Sequence, residues 1–154
     1  MDADLITLGI LQKNRQMVLD LYLKLETRMK KEGSIWINLY NALFVISSRY
    51  ADLKHLESPV FEVLDELESS IVDGLRQESL NYYLDNKWID DREKDELIKF
   101  RQHLDSINTE QWNKYDFDSS EDWNLARSWA KSLMVRLGIK NNGWNSTGEI
   151  IMED

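Results

Sequence analysis

Residues 112–123 read WNKYDFDSSEDW, in which four carboxylates and four aromatic rings share twelve positions. The oxygens of Asp116, Asp118, Ser120 and Asp122 fall at positions one, three, five and seven of a twelve-residue calcium loop, where a hard cation requires oxygen ligands. The pattern then breaks. Position six, which needs glycine for the sharp turn, is Glu121, and position twelve, which needs a bidentate glutamate, is Arg127. Ser119 or Ser120 reads instead as the cap of a helix, with Glu121 and Asp122 favoured by the positive end of its dipole. Asp90, Asp91, Asp95 and Glu96 form a second acidic group, and residues four apart on a helix share a face. A magnesium-diphosphate site would need a second such cluster and a basic partner set, and the chain has neither. Asp90 with Glu93 three residues later is the signature of a capped helix start.

His55 and His103 are the only histidines, neither stands at metal-ligand spacing from another ligand, and cysteine is absent. Disulfides and thiolate chemistry are thereby excluded. There is no Gly-rich phosphate loop and no GxSxG, so the sequence points to no metal, no cofactor and no catalytic serine. One spacing stands out. Arg49 and His55 are separated by five residues, a spacing that resembles the active-site motif of the helical HEPN ribonucleases. That resemblance implies RNA cleavage with the arginine and histidine acting at a phosphate. The family usually has a polar residue directly after the arginine, and here Tyr50 departs from it.

Helical periodicity dominates the elements that would position these groups. Val18, Leu21, Tyr22, Leu25 and Met29 form one apolar stripe, preceded by an apolar segment from Leu5 to Leu11. Lys30, Lys31 and Gly33 read as the end of that helix. Ser34 is expected to cap the next, whose apolar face is Trp36, Leu39, Tyr40, Leu43, Phe44 and Ile46, continued by Tyr50 and Leu53. Ser58-Pro59 predicts the start of a third helix, with Phe61, Leu64, Leu67, Ile71 and Leu75 inside and Glu62, Asp65, Glu66 and Ser69 outside. Gly74 should end or bend it. A short helix over 76–85 and one starting after Asp90 follow. The last, capped by Ser119 or Ser120, turns Trp123, Ala126, Trp129, Ala130, Leu133 and Leu137 inward and stops at Gly138. The fold class expected is all-α: one bundle domain of five to seven helices over 1–138, with an irregular tail over 139–154, loose or laid over the bundle.

The charge is unevenly spread. The chain carries −9 over 154 residues, but 57–122 holds seven basic against nineteen acidic residues, a net of −12. Such a segment repels phosphate backbones and steers a basic protein toward itself. No apolar run approaches the ~20 residues of a membrane span. The N-terminus is acidic where a signal peptide is basic, so a cytoplasmic location is expected. Size, acidity, lack of cysteine and six tryptophans together resemble the profile of bacterial immunity proteins. That resemblance implies inhibition of a cognate toxin domain, often a basic nuclease, by covering its active site. A nucleic-acid mimic, with carboxylates imitating phosphates, would look similar. From the charge map, the contact surface should use Glu62, Asp65 and Glu66; Asp90, Asp91, Asp95 and Glu96; and Trp112, Tyr115, Asp116 and Asp118. No direct contact with nucleic acid or membrane is expected.

Overall fold

In the computed structural model the backbone is described over residues 3–146, and side chains over 12–22 and 35–146. The described residues are helical with no strand, as the periodicity requires. Seven α-helices and two single-turn 3-10 helices are present among them, slightly more elements than expected. They are α1 (Ala3–Ser47), α2 (Tyr50–Leu53), α3 (Val63–Leu75), α4 (Gln77–Asp85), α5 (Asp91–Ser106), α6 (Lys114–Ser119) and α7 (Glu121–Arg136), with the 3-10 turns at Lys54–Leu56 and Thr109–Gln111. The chain divides into two units, Met1–Gly33 and Ser34–Asp154.

Two helix boundaries differ from expectation. Gly33 does not end a helix and Ser34 does not start one, since both have helical backbone within α1. A helical glycine costs only about 1 kcal/mol, and no proline follows to enforce a stop. Ser58-Pro59 does not open α3 either. It forms a tight turn, with Ser58 N donating to Phe61 O at 2.9 Å and Phe61 N to Ser58 O at 3.2 Å. Proline fits the second position of such a turn as well as the first position of a helix, and the helix begins four residues later at Val63.

In the first unit, residues 12–22 are helical and exposed throughout. The second unit holds the core. Every residue from Leu39 to Ser47 is buried, as befits a helix apolar on all sides and surrounded by others. Serine ends it: the Ser47 and Ser48 hydroxyls both donate back to Phe44 O, at 2.8 and 2.7 Å, a bond that competes with the helix ladder. Helix α3 approaches this segment so closely that a β-carbon on Gly74 would lie 2.5 Å from Leu39 N. Tyr83 of α4 is fully buried, and its hydroxyl lies 3.0 Å from Ile35 O and 2.8 Å from Gly74 O, sharing one proton between two carbonyls. Trp36 meets the Tyr83 ring edge-on at 5.0 Å.

Helix α5 packs against α3, α4 and α7 and buries Leu97, Phe100 and Leu104. Its start is the expected capping box: Glu93 N donates to the Asp90 side chain at 2.8 Å, and Asp90 N to that of Glu93 at 2.9 Å. Ser120 caps α7, accepting from Trp123 N at 3.2 Å. At its other end Gly138 takes φ +67°, Ile139 N donates to Met134 O and Gly138 N to Val135 O, a complete Schellman motif. Beyond it, residues 139–146 lie on the core. The Asn41 carboxamide exchanges bonds of 3.0 and 2.9 Å with the Asn145 backbone, the Tyr40 hydroxyl donates to Gly143 O at 2.6 Å, and Trp144 meets Phe61 edge-on at 5.1 Å.

Candidate functional site

Helix α3 places Asp65, Glu68 and Val72 in one outward row beside its buried row of Leu64, Leu67, Ile71 and Leu75. Facing this row is the end of α5, where Ile107 turns the chain outward with extended backbone. Asn108 caps the 3-10 turn that follows, accepting from Glu110 N at 3.0 Å, and that turn returns the chain so that Trp112 meets Trp123 edge-on at 4.9 Å. Trp123 is itself fixed, buried and donating its indole N–H to Gln111 O at 2.8 Å.

The result is a groove of about 410 Å³ between α3 and the α5–Trp112 segment. Leu64, Ile71, Val72, Leu104, Ile107 and Trp112 make its apolar lining, and Glu62, Asp65, Glu68 and Asp105 supply the charge. Among the described residues no lysine or arginine lines it, and no ion pair engages any of the four carboxylates. A second hollow of about 320 Å³ shares Glu62 and Asp65 and extends the acidic face to Glu57 and Glu66. Among the described residues Lys114 is the one cation lining it. Its ammonium stands 5.1 Å from the Tyr50 ring centre, and its pKa is held above the ordinary lysine value, first by a hydrogen bond with the Tyr50 hydroxyl.

The sequence-derived residues separate into three situations. Glu62, Asp65 and Trp112 come together in the groove, and Glu66 lies on the adjoining hollow. Asp90, Asp91, Asp95 and Glu96 do not join them. The positions of Arg92, Asp95, Glu96 and Lys99 on the α5 helix place them on the flank of its buried stripe away from Asp105. There they line a separate hollow with Trp129, in which Arg92 and Lys99 balance the acids. Asp90 is the α5 cap, Asp91 stands exposed in its first turn, and Glu96 accepts from the Trp129 indole at 3.2 Å and pairs with Arg136.

The third situation is that of Tyr115, Asp116 and Asp118, which lie on a short capped helix of their own. Residues 114–119 are helical, and Asn113 caps them by accepting from Asp116 N at 2.8 Å. The Asp116 carboxylate accepts from the Asn113 amide at 2.6 Å. Phe117 is fully buried. The Asp118 carboxylate accepts from Tyr50 N at 2.6 Å, satisfying an orphan donor at the start of α2. Tyr115 alone is free of such duties, 79% exposed on α6.

Arg127, which breaks the calcium pattern in the sequence, is a buried hub. Its guanidinium donates to Ser48 O at 3.0 Å, to the Asn124 side chain at 2.7 Å and to Phe117 O, and lies 3.9 Å from the Asp118 carboxylate. Burial, and next the nearby Arg49 charge, hold its pKa below the usual arginine value, with Asp118 opposing. Among the described residues no group of three or more His, Asp or Glu is placed to hold a metal ion. Arg49 lines a hollow of about 450 Å³ with Asp52, Arg127, Lys131 and Asn141, whereas His55, on the 3-10 turn after α2, is not among the lining residues.

Sequence reasoning missed Glu68 and Asp105. Glu68 was within reach, because it falls three residues after Asp65 on the same helix flank. Asp105 was not, because its place depends on how α5 packs across α3. Comparison of the chain with protein-family models, curated proteins and solved structures finds no match. No helix among the described residues is long and apolar enough to cross a membrane.

Proposed function

We propose that the chain is a non-enzymatic binding protein whose acidic groove docks on a basic protein partner, and that it acts as a bacterial immunity protein that neutralises a cognate toxin domain in the cytoplasm. The observation that carries this reading is the groove between α3 and the α5–Trp112 segment: four carboxylates, with no described lysine or arginine in the lining, around an apolar floor edged by a fixed tryptophan. Complementary charge raises the rate of encounter, and desolvated aromatic contact slows release. A basic partner would place lysine or arginine heads against Glu62, Asp65, Glu68 and Asp105 and apolar stems along Val72 and Trp112.

The test is protection. The chain is co-expressed with toxin domains encoded by genes neighbouring its own, and growth is scored together with binding of the purified proteins. Growth and a 1:1 complex are expected, both lost in the quadruple variant Glu62→Lys, Asp65→Lys, Glu68→Lys, Asp105→Lys with its helical circular dichroism intact. Protection that survives all four reversals would sink the groove as the docking surface. Failure to bind or protect would sink the immunity reading itself.

A further inference from the structure

Helix α1 carries an apolar face that the single chain leaves uncovered. Met17, Val18, Leu19, Leu21 and Tyr22 are 69%, 67%, 50%, 59% and 64% exposed, the densest group of exposed large apolar side chains among the described residues. These belong to the unit Met1–Gly33. A helix is marginal in water without a packed apolar face, so this face calls for a cover. The sequence says what kind. Val18 and Tyr22 lie in a register of alternating three- and four-residue steps that runs through Leu8, Leu11, Arg15, Val18, Tyr22, Leu25 and Met29. That spacing is the seam of a two-helix coiled coil, in which each helix supplies both knobs and holes and can therefore pair with itself.

The charges fix the direction. Asp2 and Asp4 stand at one end of the register, while Lys24, Arg28, Lys30 and Lys31 stand at the other with only Glu26 and Glu32 against them. A parallel pair would set the basic ends side by side, whereas an antiparallel pair sets each basic end against an acidic one. We infer that α1 up to Gly33 forms an antiparallel helix pair with the same segment of a second copy of the chain, making the protein a dimer. Arg15 within the seam limits the affinity and leaves the dimer dependent on concentration, as polar residues at such positions do. This surface is distinct from the groove, so the inference does not rest on the proposed function.

Sedimentation equilibrium of the intact purified chain across a concentration series tests it. A mass rising from one 18.3 kDa chain to twice that value is expected. The variant Val18→Lys with Tyr22→Lys, both on exposed positions, should remain monomeric throughout, and Arg15→Leu should shift the midpoint to at least tenfold lower concentration. Because the chain has no cysteine, direction is read by single substitutions. A mixture of Thr7→Cys and Arg28→Cys chains should form the mixed disulfide, and Thr7→Cys alone should not link to itself. A monomer at every concentration, a dimer unchanged by Val18→Lys with Tyr22→Lys, or flotation of a monomeric chain with anionic phosphatidylserine vesicles would each overturn the pairing. Self-linked Thr7→Cys would overturn its antiparallel direction.

Discussion

The residues that hold this protein together are not the ones that draw the eye in its sequence. Arg127 appears there only as a flaw in a calcium pattern, yet it satisfies Ser48 O and Phe117 O from a position 5% exposed. Removing it leaves the Ser48 and Phe117 carbonyls without their donor and Asp118 without its ion-pair partner, so Arg127→Ala should cost about 3 kcal/mol, read as a lowered urea midpoint. Asp118→Asn keeps an acceptor for Tyr50 N and should cost less than half as much. Tyr83 gives a pH signature. Burial raises its pKa above the ordinary tyrosine value, so its contribution is fully present below the unfolded value of about 10 and is lost as pH rises beyond it. Tyr83→Phe should therefore cost about 1–2 kcal/mol at pH 7. Its deficit against the wild type should shrink above pH ~10 by up to about 1.4 kcal/mol per pH unit, measured by urea unfolding at a series of alkaline pH values.

At the scale of elements, boundaries were legible where a side chain closes a local hydrogen bond. The Asp90–Glu93 box, the Ser120 cap and the Gly138 stop depend on residues within a few positions of one another, and each is where the sequence places it. Boundaries that depend on context were not. Ser58-Pro59 suits a turn and a helix start equally, and Lys87 takes the left-handed φ of +60° at the end of α4, a conformation whose usual signal is glycine. Gly74 was expected to end or bend α3, which ends one residue later at Leu75, and packing gives it a second role, closeness. It lets the α3 backbone touch α1, because a β-carbon there would sit 2.5 Å from Leu39 N and 2.8 Å from Asn38 C, both of them backbone atoms that cannot swing aside. Gly74→Ala should therefore lower stability by roughly 1–3 kcal/mol despite the better helix propensity of alanine. Thermal unfolding followed by circular dichroism would show it, and an unchanged or raised Tm would refute the tight approach.

For the molecule as a whole, the proposed docking site is a groove that no single element contains. Its carboxylates come from α3, from Glu62 just before it and from α5, and its tryptophan from the segment between α5 and α6. If the groove docks a basic partner, its two kinds of group should show in different rate constants. Reversing Glu62, Asp65, Glu68 and Asp105 should slow association and flatten its dependence on salt. Trp112→Ala should leave association nearly unchanged and speed dissociation roughly tenfold or more, as loss of an aromatic anchor does. Stopped-flow binding at two or more ionic strengths separates the two. Equal effects of both variants on association would argue against this division of labour.

The sequence by itself determined the all-α class, the inward faces of most helices, the cap at Asp90 and one at Ser119 or Ser120, and the concentration of acid between residues 57 and 122. These properties are local, set by a period of 3.6 residues, by bonds spanning three or four positions, and by composition. Only the tertiary structure decided which acids stand together. Glu62 and Asp65 meet Asp105 and Trp112 because α5 packs across α3, whereas Asp90 and Glu96 are spent on a cap and on Trp129 and Arg136, and Asp116 and Asp118 on Asn113, Tyr50 and Arg127. A carboxylate's role depends on whether a donor reaches it from elsewhere in the chain. That is a matter of packing, which linear spacing does not encode.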